Sequence, residues 1–102
     1  MNRLIEEKRQ ELERVCRLHR VHRIELFGSA AGPTFDLAHS DLDFLVTFQE
    51  LGADQYADAY FGLLEDLQDI FQRPVDLVVA SAIKNPYFLQ AVETTRTLVY
   101  AD

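Results

Sequence analysis

The chain has one cysteine, no apolar stretch of membrane-spanning length, no internal repeat and only three basic side chains beyond residue 23. Each shortage excludes something. Cys16 has no partner for an internal disulfide, and its place on a helical face reads as that of a small buried hydrophobe. With no spanning segment, and a start (Met1-Asn2-Arg3-Leu4-Ile5-Glu6-Glu7) too charged for a secretion signal, the expectation is a cytoplasmic protein with no membrane association. Residues 1–23 hold seven basic and four acidic side chains, whereas the rest hold three basic and thirteen acidic, for a net charge of −7. An acidic body repels a nucleic-acid backbone, so a general DNA or RNA binder is excluded. A triphosphate accompanied by cations remains compatible. With 102 residues, and no low-complexity tract or linker, the expectation is one domain over 1–102.

Hydrophobic periodicity predicts the elements. Residues 2–20 read as an amphipathic helix with Ile5, Leu12, Val15, Cys16 and His19 on one side. Its glutamates lie early, and Arg14, Arg17 and Arg20 lie late, which complements the helix dipole. Residues 21–27 and 41–48 read as strands, with a short helical turn and loop between them over 30–40. A helix follows over 53–71, with Tyr56, Tyr60, Leu63, Leu64, Leu67, Ile70 and Phe71 as its apolar stripe. Arg73-Pro74 ends it, and residues 75–79 form a third strand. Asn85-Pro86 is a cap followed by a first-turn proline, opening a helix over 86–95, and residues 97–100 supply an edge strand. The alternation predicts an α/β fold, a small sheet with helices against one or both faces.

Chemistry concentrates in two places. Leu26-Phe27-Gly28-Ser29 puts a glycine-serine bend after the first strand, and Ser40-Asp41-Leu42-Asp43 opens the second. Alternation along a strand projects Asp41 and Asp43 to one side, about 7 Å apart. Paired carboxylates repel unless a cation lies between them, and hard oxygen ligands suit magnesium. Glycine-serine turns suit phosphate oxygens. Asp76, inside an apolar strand, is costly to bury unless paired or metal-bound, and taken alone it also reads as a strand-end residue facing water. Placed beside the second strand, it would complete a triad able to hold two ions.

The segment Leu-Phe-Gly-Ser-Ala-Ala…Ser-Asp-Leu-Asp-Phe-Leu-Val resembles the signature of the minimal nucleotidyltransferases, within the DNA polymerase β-like nucleotidyltransferase superfamily. The resemblance extends through Pro74-Val75-Asp76-Leu77-Val78 to Lys84-Asn85-Pro86-Tyr87-Phe88. It implies a polymerase β-like core with a small mixed sheet, and magnesium held by Asp41, Asp43 and Asp76. Gly28 and Ser29 would grip the triphosphate, with Ser40 orienting the aspartate turn. The implied activity is transfer of AMP from ATP to a hydroxyl. Many such proteins are antitoxins beside a HEPN-domain toxin, and some adenylylate a tyrosine on it. The sequence departs from the common form in lacking an arginine after the Gly-Ser: it reads Gly28-Ser29-Ala30-Ala31-Gly32-Pro33. One cationic phosphate contact is therefore missing, and the loop to Asp41 is one residue longer.

Other polar residues have plainer readings: His39 in a loop, His22 and Arg23 at the surface of a strand start, and Lys84 solvated. Tyr87 and Phe88 are expected to pack the last helix. At 102 residues the chain has no room for primer- and template-holding domains, so its acceptor must come from a partner. Two rivals stand beside the magnesium-dependent protein adenylyltransferase. One is a module that neutralises its partner by binding alone, and the other a transferase acting on a small molecule. Homo- and hetero-oligomers both remain open.

Overall fold

The computed structural model describes residues 3–28 and 41–102. Helices α1 (Arg3–Glu7) and α2 (Arg9–Leu18) lead into strand β1 (Val21–Phe27), and β2 (Leu42–Phe48) follows. Helix α3 (Ala53–Phe71) crosses to β3 (Val75–Val79), a 3-10 turn spans Ala80–Ala82, and α4 (Pro86–Thr95) precedes β4 (Thr97–Ala101). The sheet order is β3-β2-β1-β4. β1 runs antiparallel to both β2 and β4, while β2 and β3 are parallel. A parallel pair needs a crossover, and the 19 residues of α3 supply it.

Among the described residues, α1, α2 and α3 cover one face of this mixed sheet and α4 covers the other. On the first face Ile24, Leu26, Leu42, Phe44, Val46, Leu77 and Val99 pack beneath Ile5, Leu12, Val15, Cys16, Leu63, Leu67 and Phe71. Cys16 is fully buried, and burial pushes its thiol up to about 12, as expected of a residue serving as a hydrophobe. On the second face a smaller cluster joins Phe27, Leu45 and Val92, with Val78, Ala80 and Ile83 at its margin. Val92 is the one buried residue of α4.

The predicted helix over 2–20 is two helices. The chain turns at Lys8, which lets Ile5 enter the core while Arg9 Nη1 donates to the Val99 carbonyl at 2.8 Å. Arg20 takes a positive φ of 62° and ends the run. His19, placed by periodicity on the inner side, lies half-buried with Nε2 2.6 Å from Asp66 Oδ2. Its ring occupies the space of a missing side chain: a Cβ on Gly62 would lie 2.6 Å from the imidazole. The pair locks α2 to α3. Helix α4 begins as its sequence indicates, with Asn85 Oδ1 accepting from the Tyr87 and Phe88 amides at 2.9 and 3.3 Å.

A buried ion pair joins the end of α4 to the sheet. Glu25 is 4% exposed, and Arg96 donates to both of its carboxylate oxygens, at 2.8 and 2.7 Å. Arg23 adds a contact at 3.3 Å, and Glu93 holds the other arm of Arg96. The Arg96 guanidinium holds the Glu25 carboxyl below the usual range against the opposing effect of burial. Stability from a depressed acid is present above its unfolded pKa and lost as pH falls through the folded one. Arg96→Met should therefore cost about 3 kcal/mol at neutral pH, because a buried charge loses its main partner. Urea unfolding from pH 7 to 3 should show the gap between wild type and Glu25→Gln closing below about pH 4.

Candidate functional site

The register of the sheet builds the site. β2 and β3 pair so that Asp43 lies directly opposite Asp76, and the next pair on the same face is Leu45 with Val78. Those apolar residues belong to the small cluster under α4, so both aspartates project from the α4 face. On the other side of β2, Phe27 pairs with Asp43, and Gly28 follows it. Gly28 has φ +73°, a left-handed conformation open to glycine at little cost. A Cβ at that position would lie 2.5 Å from Asp43 Oδ2, so the backbone rests against the carboxylate.

Asp43 is thus enclosed by a glycine bend on one side and by acid on the other. Its pKa is raised, first by burial and then by the charges of Asp76 and Asp41. Asp41 stands exposed immediately before β2, two residues from Asp43. The following amide, of Leu42, donates to the Pro74 carbonyl at 3.3 Å and fixes the mouth of the β2–β3 pair.

The sequence reading anticipated that these three acids meet; the structure sets Asp43 beside Asp76 and leaves Asp41 exposed two residues ahead, just before the same strand, without gathering the three into one cluster. It corrects the reason given for Asp76. That residue is exposed on an edge strand, not buried in an apolar one, because β3 ends the sheet. Its carboxylate therefore carries no large desolvation cost. Ser29, Ser40 and His39, with the turn expected over 30–40, lie outside the described residues. Lys84 is exposed, as expected, and so is His22, which pairs with Asp102 at 2.7 Å. Tyr87 differs from expectation: it is 82% exposed and packs nothing inward, since α4 turns only Val92 fully into the sheet. Phe88 meets Phe27 edge to face, with ring centroids 6.0 Å apart.

Two residues near the site escaped the sequence reading. Thr95 Oγ1 accepts the Gly28 amide at 3.0 Å, and Glu25 is the buried anchor of Arg96. A charged residue in a strand between Ile24 and Leu26 was the available sign for Glu25.

Among the described residues no group of three or more His, Cys, Asp or Glu side chains is gathered as a complete metal site. The chemistry of the donors nevertheless fits a hard divalent cation. Asp43 and Asp76 offer adjacent carboxylate oxygens, and Asp43 carries a charge its surroundings disfavour, which a cation would relieve.

Comparison with known proteins bears on family and fold. Residues 8–99 match the profile of the nucleotidyltransferase domain family. A Methanocaldococcus jannaschii protein named "Putative protein adenylyltransferase" is 39% identical over 75 residues, covering 74% of this chain and 72% of that protein. Among solved structures, a minimal nucleotidyltransferase, itself named as putative, superposes with TM-score 0.67 at 26% identity, covering 90% of this chain and 89% of that one. A complex of tri-AMPylated Shewanella oneidensis HEPN toxin with MNT antitoxin matches with TM-score 0.64 at 20% identity, covering 96% and 73%. A toxin-antitoxin structure with AMP-PNP matches with TM-score 0.65 at 22% identity, covering 92% and 73%. The likeness to these last two is one of fold.

An acid whose pKa is raised on folding costs stability that grows as pH climbs from its ordinary value and is complete above the raised one. Asp43→Asn should therefore raise the thermal midpoint of the metal-free protein by a few degrees at pH 7, with the gain vanishing below the ordinary aspartate range. Gly28→Ala should lower the midpoint at every pH, because it adds left-handed strain and a clash with Asp43. Calorimetric scans between pH 3 and 8 check both.

Proposed function

The chain belongs to the nucleotidyltransferase domain family, and from that premise we propose that it moves AMP from ATP to a tyrosine hydroxyl of a HEPN-type toxin, as that toxin's antitoxin. The reading is supported by the adenylyltransferase name of the Methanocaldococcus jannaschii relative and by the fold shared with MNT–HEPN complexes. The observation that carries it is the in-register pair Asp43–Asp76, with the Gly28 bend packed against the Asp43 carboxylate. The cytoplasm is the proposed setting. Among the described residues, no helix is long and apolar enough to cross a membrane.

Asp41, Asp43 and Asp76 would hold magnesium, two ions in the full complement. When bound, these supply charge neutralisation on the phosphates and a lower pKa for the attacking hydroxyl. The chain's own contributions follow from its geometry. Gly28 lets the backbone come close to the triphosphate, and Ser29 and Ser40 are the hydroxyls proposed to bond it. Asp76, solvated and beside Asp43, takes the proton from the acceptor hydroxyl. The acceptor oxygen forms a bond to the α-phosphorus, the α–β bridging bond breaks, and pyrophosphate leaves with its electron pair.

A second reading, neutralisation by binding alone, draws on one sequence feature: no basic residue occurs between Gly28 and Arg73. The two separate in one assay, using α-labelled ATP, magnesium and a HEPN-type protein offered as acceptor. Label should pass to the partner, and Asp41→Ala or Asp43→Asn should reduce transfer about a hundredfold or more, as expected from losing several kcal/mol of charge stabilisation. Neutralisation that survives both substitutions with no label on the partner would establish the binding-only reading. Transfer to a small hydroxyl compound with no protein acceptor present would redirect the activity to small molecules.

A further inference from the structure

The Gly28 bend is held from behind as well as in front. Its φ of +73° turns the Cα onto the Asp43 carboxylate, and its amide donates to Thr95 Oγ1 at 3.0 Å. Thr95 is the last residue of α4. Its hydroxyl is oriented by the carbonyl of Ala91, 3.3 Å away, so it donates back into the helix while accepting from Gly28. The next residue, Arg96, is clamped to buried Glu25 on β1 by two hydrogen bonds of 2.8 and 2.7 Å.

These contacts matter because, among the described residues, α4 has little else to hold it. Val92 is its one fully buried side chain, and Phe88 adds an edge contact with Phe27. The C-terminal turn of α4 is therefore fixed mainly by polar bonds that converge on β1 within four residues, Glu25 to Gly28. Bracing of this kind opposes outward movement of the bend and keeps its backbone against the carboxylate it faces.

We propose that Thr95 is a positioning residue of the nucleotide site. Its hydroxyl sets the Gly28 bend against Asp43, and the Arg96–Glu25 pair sets Thr95. This role rests on the nucleotidyltransferase reading of the preceding section. Thr95 itself touches no substrate. It acts through Gly28, whose backbone conformation governs both the approach of the triphosphate and the space left to Asp43.

The test uses the full chain with Thr95→Val, which keeps the shape and removes the hydroxyl, and Thr95→Ser, which keeps the hydroxyl. Two quantities are measured: hydrogen exchange of the Gly28 amide by NMR, and the affinity for AMP-PNP with magnesium by calorimetry. In Thr95→Val the amide should exchange about three- to tenfold faster and AMP-PNP should bind more weakly by a similar factor, the worth of one net hydrogen bond. Thr95→Ser should restore both. Should the valine variant fail to fold, Thr95→Ala carries the same expectation. An unchanged exchange rate would refute the brace. Faster exchange with unaltered affinity would reduce Thr95 to a structural residue and overturn the proposal. Wild-type protein that binds no AMP-PNP would instead refute the nucleotide reading, and the positioning role with it.

Discussion

The parallel register between β2 and β3 is the constraint on which the candidate site depends. Because successive side chains alternate faces, a slip of one residue would send Asp76 to the side of the main core. The register is held at several points. Leu63, Leu67 and Phe71 anchor α3 on the sheet, Tyr60 donates to the Leu77 carbonyl at 2.6 Å, and Gln68 accepts the Val75 amide at 3.2 Å. The crossover helix thus does more than bridge two strands. Its polar contacts fix where the third strand begins, and therefore which residue stands opposite Asp43.

The two faces of the sheet divide the labour. The face under α1, α2 and α3 carries nearly all of the continuous apolar core, whereas the face under α4 carries a three-residue buried cluster, an ion pair and the acids. Like charges crowd beside Asp43, and that crowding is tolerated because stability is secured on the opposite side. A site of this kind is strained by design of the fold, not by a defect in packing.

Much of this was legible in the chain itself. Helices α3 and α4 and strand β3 begin and end where their local punctuation indicates: Gly52, Arg73-Pro74 and Asn85-Pro86 are short-range signals that tertiary contacts did not override. The aspartates and the glycine bend were legible for the same reason. What escaped depends on long-range partners. The break at Lys8 follows from Arg9 reaching Val99, 90 residues away, and Glu25 is buried because Arg96 lies 71 residues further on. Whether Asp76 is buried or faces water stayed open, because a run such as Val-Asp-Leu-Val-Val does not say whether its strand is central or at the edge. Strand order, which decides that, is a property of the assembled sheet.

The edge position of β3 has a consequence of its own. A terminal strand offers a row of unpaired amides and carbonyls to any other extended chain, and an apolar one invites aggregation. Asp76 places a charge at the second position of the short, otherwise apolar run Val75–Val79. The carboxylate proposed for chemistry is also a charge of the kind that disfavours strand-to-strand stacking of neighbouring molecules. On the proposed mechanism, one side chain would serve both ends.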